Sequence, residues 1–278
     1  MKITHNETTQ VWKALLTAGR VRWALVSLLA LAFLLSPLSP VLAKTSSPKV
    51  SEKQAVLQEA RGLIEKAPAN HKNLQDAISL LDGYRQKYPG DVRFPLYLAE
   101  AYYRMADPSA NVSKEFIYYQ KTGEYARQVL AMDPSRMEGH YWYGLYLLKK
   151  AQKQGIRGYF TVKRGIAELE KVRRALPSYD HAGASRVLGL LYCLAPSWTP
   201  FGNLDKSIKL GQEATRLDPG FALNRLYLAN AYKKAGDKSA AIREYQAILT
   251  ASAHVPGSMA ASMSNQARSG LRSLGQTI

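Results

Sequence analysis

The sequence predicts an all-α fold, a solenoid of antiparallel helix pairs that stack side by side. Apolar residues recur at helical spacing along most of the chain after about residue 51. A large apolar residue followed by a small one returns at Leu98, Tyr143, Leu188 and Leu228, in steps of 45, 45 and 40 residues. Proline and glycine separate the helical segments, which is typical of turns. Such recurrence indicates a repeat protein.

The repeat has its clearest form between residues 180 and 249. Gly189 and Ala229 stand where the second helix of a pair crosses the first, because a larger side chain would hold the two axes apart. A tyrosine follows each of them three residues later, on the same helical face, as Tyr192 does after Gly189. Pro219 ends the second helix. Together these features are the tetratricopeptide (TPR) pattern of about 34 residues.

The helix pairs can be placed from their caps and turns. Ser51 and Ser135 begin capping boxes that open helices, and the second helix of the third pair is expected from Gly165. Gly236 and Asp237 form the turn inside the last pair. The pairs are expected at about 51–88, 91–133, 135–177, 180–218 and 220–251, followed by a capping helix at about 257–275.

Three insertions lengthen the repeats beyond 34 residues. They lie at about 107–112, 154–160 and 195–203, between the two helices of a pair. Insertions at equivalent points of successive repeats emerge on one side of a solenoid, so that side is a candidate functional surface.

Residues 1–43 are expected to be a targeting segment outside the fold. Basic residues precede an apolar run at 23–35, and Val41 to Ala43 offers small residues for signal peptidase. We therefore expect export to the periplasm, with 44–50 as a linker and the solenoid at 51–278. The alternative is an uncleaved anchor, in which residues 23–35 hold the protein in the inner membrane, facing the periplasm. No cysteine lies near the cleavage site for a lipid anchor.

The charge of the chain favours acidic partners or an anionic membrane surface. The formal net charge is +17, and residues 1–43 contribute only +3 of it. The basic residues are dispersed along the helices instead of forming a block, so nucleic acid is not an expected partner.

No catalytic constellation or cofactor motif is present in the sequence. It has no GxSxG, phosphate loop or HExxH motif, and Cys193 is its single cysteine. The five histidines are scattered, without metal-ligand spacing on one helix face. The prediction is a non-enzymatic protein without metal or cofactor.

The first helix of each pair is expected to line a concave groove. Counting from the repeat register places ten candidate partner-binding residues there: Arg93, Glu100, Tyr103, Arg104, Tyr141, Lys149, Arg186, Asn230, Lys233 and Lys234. Basic and amide groups suit an extended acidic or carboxylate-ended segment of a partner protein. The alternative is that these are merely exposed side chains of a scaffold.

Tyrosine is unusually frequent, with 17 residues against six phenylalanines. Most of these side chains fit TPR packing. A second interpretation is an amphipathic pocket between helices that holds a small apolar or carboxylate ligand.

Part of the chain resembles a known family. Residues 186–189, Tyr192, the segment 195–198 and residues 222–229 are similar to the T component of TRAP transporter systems. The family-like positions are Arg186, Gly189, Trp198 and Asn224.

This resemblance implies an exported TPR solenoid with a hydrophobic groove, homo-oligomerisation, and pairing with a periplasmic solute-binding subunit. The chain departs from the family in lacking a lipid-anchor cysteine. The alternative function is a general envelope assembly scaffold that has no small-molecule ligand.

Overall fold

The computed structural model describes residues 51–66, 71–106, 112–252 and 258–277. These parts contain helices and no strand. The helices are α1 (Glu52–Lys66), α2 (His71–Arg85), α3 (Arg93–Met105), α4 (Val112–Met132), α5 (Met137–Gln154), α6 (Tyr159–Ala175), α7 (Tyr179–Leu194), α8 (Leu204–Leu217), α9 (Ala222–Ala235), α10 (Lys238–Ser252) and α11 (Ser258–Ser273). The predicted targeting segment 1–43, the linker 44–50 and most of the first insertion lie outside the described residues.

The helices pack as five consecutive antiparallel pairs followed by a last helix. Each helix contacts its neighbours in sequence, and the contact within each pair is the most extensive one. First helices of neighbouring pairs also contact each other, as α1 does with α3, α3 with α5, and α7 with α9. Closer approach of the first helices places them on the inside of a curved stack. The predicted all-α, TPR-like solenoid is confirmed.

The repeat register explains how the pairs close. Leu98 and Leu188 are completely buried, and Leu228 is 2% exposed. A Cβ at Gly189 would lie 3.3 Å from the backbone oxygen of Ser207, so α7 and α8 cross where the sequence carries no side chain. A Cβ at Gly144 would likewise lie 2.9 Å from the side chain of Leu169, where α5 and α6 cross. Gly144 and Gly189, the small residues after two of the markers, are therefore helix-crossing positions.

Two of the predicted caps form as expected. The backbone N–H of Gln54 donates to Ser51 Oγ over 3.3 Å at the start of α1. Gly236 has a φ of +86°, and Asp237 Oδ1 accepts the N–H of Ala240 over 2.9 Å. A glycine in the left-handed region followed by an aspartate cap gives the tight turn between α9 and α10.

The predicted capping box at Ser135 does not form. Its hydroxyl donates instead to Asp133 Oδ1 over 2.6 Å, and Glu138 pairs with Arg136 over 3.2 Å. Because the Ser135 hydroxyl is bound to Asp133, α5 begins without a side-chain cap.

The second insertion is more helical than the sequence suggested. A 3₁₀ turn spans Gly155–Gly158, and α6 begins directly after it at Tyr159, six residues before the expected start. A Cβ at Gly158 would lie only 2.5 Å from the backbone oxygen of Ala151, so glycine allows this close return of the chain.

In the parts of the chain that the structure describes, no helix has both the length and the apolar composition that a bilayer crossing needs.

Candidate functional site

The inner layer of first helices contains a buried ionic cluster at its N-terminal end. Glu100 on α3 is 2% exposed and accepts from Arg61 Nη1 and Arg104 Nη2, each over 2.6 Å. Burial disfavours the charge of Arg61, but the carboxylates of Glu100 and Glu65 together outweigh it and raise the pKa of Arg61 above its usual range. Glu100 and Arg104, two of the predicted groove residues, are therefore paired within the solenoid.

Arg93 is held at the start of the same helix. Its guanidinium donates to both carboxylate oxygens of Asp91, over 2.8 and 2.6 Å. This bidentate pair lowers the pKa of Asp91 far below its usual range. A partner carboxylate can therefore bind Arg93 either beside Asp91 or by displacing Asp91.

Aromatic rings join α3, α4, α5 and α7 in the middle of the inner layer. Tyr103 lies 5.5 Å from both Tyr119 and Trp142, measured between ring centroids. Tyr141 meets the edges of Trp142 at 5.0 Å and Tyr179 at 5.2 Å. These rings pack mostly on one another, which supports the packing interpretation of the tyrosine-rich repeats.

Lys149 lies beside this aromatic cluster. Its residue is 6% exposed, and its ammonium nitrogen is 4.8 Å from the ring centroid of Tyr119. A cation over a tyrosine face is a favourable contact in a partly desolvated place. The Nε1–H of Trp142 is buried without an acceptor in the described structure. The aromatic rings, the Lys149 ammonium group and the Trp142 N–H together make this region amphipathic.

A second buried network centres on Asp180 at the start of α7. Its Oδ2 accepts from the hydroxyl of Tyr141 over 2.5 Å and from Arg186 Nη2 over 2.7 Å. The Arg186 side chain is 1% exposed, and its Nη1 donates to the backbone oxygens of Asp180 and His181, each over 2.9 Å. Burial, and then the nearby carboxylate, raise the pKa of Tyr141 well above its usual range.

The backbone of this network is left-handed. Asp180, His181 and Ala182 have φ values of +47°, +56° and +60°. Left-handed turns are costly for residues with a Cβ, so surrounding contacts must hold this one. Arg186 supplies them by binding the carbonyl groups of the turn. A Cβ at Gly183 would lie 2.3 Å from the Tyr141 hydroxyl, so the turn also needs glycine there.

Asn224 on α9 completes the network. Its Nδ2 donates to the backbone oxygens of Ala214 and His181 over 3.0 and 3.1 Å, and its Oδ1 lies 3.4 Å from Arg186 Nη1. The structure thus brings together Arg186 and Asn224 of the family-like motif, in a role that joins two repeats.

The other two positions of that motif lie elsewhere. Gly189 is the crossing point of α7 and α8 described above. Trp198 lies in the turn after α7 and is 75% exposed. The motif therefore divides into a buried structural part and one exposed aromatic side chain.

The three most exposed of the predicted groove residues lie near the C-terminal end of α9. Asn230, Lys233 and Lys234 are exposed. Lys233 donates to Ser273 Oγ over 2.6 Å, and Lys234 donates to the backbone oxygen of Cys193 over 2.5 Å. An ammonium group has three donors, and each lysine uses one in these bonds. Each lysine therefore keeps donors that can bind a partner carboxylate without displacing these bonds.

Asn230 lies one turn earlier on the same helix. Its Oδ1 accepts from the Tyr245 hydroxyl over 2.5 Å, which leaves the amide NH₂ as a donor toward solvent. The region formed by Asn230, Lys233 and Lys234 is called the α9 basic end below.

Sequence reasoning missed Asp180 and Arg61 of the buried networks and Tyr179 of the aromatic cluster. Asp180 precedes the regular part of α7, and no sequence pattern signals three consecutive left-handed residues. Arg61 lies in the first pair, where no groove position was counted.

No three histidine, cysteine, aspartate or glutamate side chains converge as metal ligands would within the described ranges. Burial raises the pKa of the Cys193 thiol, so this residue is a poor nucleophile.

Comparison with a solved TPR structure agrees with the repeat fold. A thermophilic TPR protein from Thermus thermophilus, TTC0263, superposes with a TM-score of 0.59 at 18% identity, covering 79% of this chain and 99% of that one. The structure described as the MamA RS-1 ArsTM double mutant gives a TM-score of 0.45 at 21% identity, covering 70% and 94%. The chain is a TPR-like helical repeat protein.

The sequence profile of a family described as "Regulator of microtubule dynamics protein 1-3" matches residues 56–166, which is less than half of the chain. Among curated proteins, none matches the chain.

Proposed function

We propose that the protein is a non-catalytic binding scaffold that holds an acidic or carboxylate-ended segment of a partner protein on its inner face. The main observation that supports this proposal is the α9 basic end, where three predicted groove residues are exposed on adjacent turns. The positive net charge of +17 adds long-range attraction for an acidic partner.

The buried part of the inner layer has a supporting role in this proposal. Arg186, Asn224 and Asp180 join α7 to α9, so the position of the α9 basic end depends on a rigid support. Rigid support of a binding group lowers the entropy that binding costs.

The finer proposal is that the chain is exported and serves as the TPR component of a TRAP-type periplasmic transport system. It rests on the resemblance at residues 186–189, 195–198 and 222–229 and on the leader-like composition of residues 1–43. The partner would then be a periplasmic solute-binding subunit. In the alternative location, residues 23–35 anchor the protein to the inner membrane.

A general envelope scaffold without a small-molecule ligand is the second candidate. It is favoured by the aromatic rings of the inner layer, which pack on one another. Native mass spectrometry of the full chain separates the two candidates. A co-purified hydrophobic ligand supports the transport role, and its absence supports the scaffold.

Partner capture and a charge-reversal pair test the proposed binding face. Crosslinking and pull-down with the full chain would identify the partner, and titration would then give its affinity for each variant. The double variant Lys233→Glu/Lys234→Glu should bind at least about tenfold more weakly, because two charge-assisted hydrogen bonds are replaced by repulsion.

The matched control is Lys209→Glu/Lys238→Glu, which makes the same change of charge at exposed positions of the second helices. Its affinity should stay within about twofold of the wild type. Equal affinity of the wild type and the Lys233/Lys234 variant would refute binding at the α9 basic end.

A further inference from the structure

The second and third insertions expose large apolar side chains that the binding face does not use. Ile156 is 98% exposed, Trp198 75%, Phe160 74% and Tyr159 40%. These are four of the six large hydrophobic residues that are exposed in the described structure, so the exposure is concentrated on the insertions. Exposed apolar patches of this kind mark interaction sites.

The two insertions meet. The ring of Tyr159 lies 5.3 Å from the ring of Phe160 and 5.3 Å from that of Phe201, which belongs to the turn after α7. The sequence prediction that these insertions emerge on one side is met here by direct contact. The residues Ile156, Tyr159, Phe160, Trp198 and Phe201 are called the insertion surface below.

Several hydrogen bonds hold the turn that carries Trp198. The backbone oxygen of Pro196 accepts from the N–H and the hydroxyl of Thr199 over 2.9 and 2.7 Å, and Gly202 N–H donates to the Thr199 oxygen over 3.1 Å. A Cβ at Gly202 would lie 2.2 Å from the Pro196 oxygen, so the loop closes on glycine. An exposed indole on a rigid turn loses little entropy when it binds.

The exposed charges in and beside the second insertion have one sign. Between Glu138 and Glu168 the sequence contains no acidic residue, and Lys153, Arg157, Lys163 and Arg164 in that stretch are exposed. The turn from residue 195 to 203 has no charged residue at all.

This combination fits an anionic bilayer better than a protein. Protein interfaces pack side chains into complementary pockets, whereas Ile156 protrudes almost without neighbours. Tryptophan and other aromatic residues favour the headgroup level of a membrane, and neighbouring lysine and arginine residues are attracted to anionic lipids.

We propose that the insertion surface docks the solenoid onto an anionic lipid bilayer. Ile156, Phe160 and Trp198 enter the headgroup region, while Lys153, Arg157 and Lys163 bind lipid phosphates. The α9 basic end is formed by other residues. This inference does not depend on the proposed partner binding.

An environment-sensitive label tests the docking residue by residue. In a Cys193→Ala background, the full chain would carry Ile156→Cys labelled with nitrobenzoxadiazole, and vesicles of phosphatidylcholine with about 30% phosphatidylserine would be added. The label at 156 should shift to the blue and brighten at least twofold as it leaves water.

The matched control carries the same label at Met132→Cys, an exposed apolar position at the opposite end of α4 from the insertions. Its emission should stay unchanged, even if residues 23–35 bind the vesicle. The variant Lys153→Glu/Arg157→Glu/Lys163→Glu should need at least about tenfold more lipid for the same shift at 156.

Three outcomes would overturn the proposal. They are an unchanged label at 156 with anionic vesicles, an equal shift with vesicles of pure phosphatidylcholine, and a shift that only an added protein extract produces. The last result would assign the insertion surface to a protein partner.

Discussion

At the scale of single residues, the buried pair of Asp180 and Arg186 stabilises a conformation that the backbone disfavours. Three left-handed residues cost roughly 1–2 kcal/mol each. The guanidinium of Arg186 binds two carbonyl oxygens of that turn and its carboxylate. Tyr141 and Asn224 bring in α5 and α9, so one side chain stabilises the junction of three repeats.

Replacing Arg186 by methionine should therefore destabilise the protein strongly. The change leaves the Asp180 carboxylate buried with only the Tyr141 hydroxyl as a side-chain donor, and loss of one partner of a buried pair costs about 3–5 kcal/mol. Urea unfolding followed by circular dichroism measures the loss.

The control for this change is Arg216→Met, at an exposed position of α8, which should alter the free energy of unfolding by less than about 0.5 kcal/mol. The double variant Asp180→Asn/Arg186→Met should regain at least half of the loss, because asparagine tolerates the left-handed region and brings no charge. A loss below about 1 kcal/mol for Arg186→Met would show that the pair does not hold the turn.

At the scale of helices, glycine decides how closely successive elements approach. A Cβ at Gly123 on α4 would lie 2.4 Å from the Tyr146 ring on α5, and Tyr146 is 7% exposed. Gly83 on α2 has open space around its added Cβ. Substitution by alanine should therefore destabilise the protein at Gly123 and stabilise it at Gly83.

Gly123→Ala should lower the free energy of unfolding by about 1–3 kcal/mol, since the buried ring must move. Gly83→Ala should raise it by about 0.5–1 kcal/mol, since alanine restricts the unfolded chain and favours the helix. Thermal and urea unfolding of both variants check the signs. Two changes of the same sign would contradict the packing of α4 against α5.

The helices were predictable because local chemistry determines them. Gly189, Gly236 and Asp237 act where the repeat register placed them, through a close crossing, a left-handed turn and a cap. The predicted Ser135 cap was wrong, because Asp133 binds the Ser135 hydroxyl. The predicted start of α6 was also wrong, because a 3₁₀ turn extends the helix into the insertion.

At the scale of the whole molecule, the inner layer was predicted as a helical surface but not as a buried one. Counting along the repeat identifies which side chains face the next repeat or the groove. It does not show that Arg61 meets Glu100, or that Asp180 meets Arg186 across a left-handed turn. These pairs join separate segments, and their partners lie outside the repeat pattern.

The meeting of the two insertions is also a property of the whole stack. The repeat register predicted that the insertions lie on one side of the solenoid. The contact of Tyr159 with Phe201 depends on how α6 and α7 follow each other, which no local pattern specifies. The α9 basic end and the insertion surface are thus formed by different residues.

The account's central claim is that a partner binds the inner layer near the end of α9. Amide hydrogen exchange of the full chain, alone and with the captured partner, tests it most directly. Slower exchange in Ala222–Ala235 and at the end of Tyr179–Leu194 is the predicted result. Protection confined to the second helices, with unchanged exchange in Ala222–Ala235, would contradict the account.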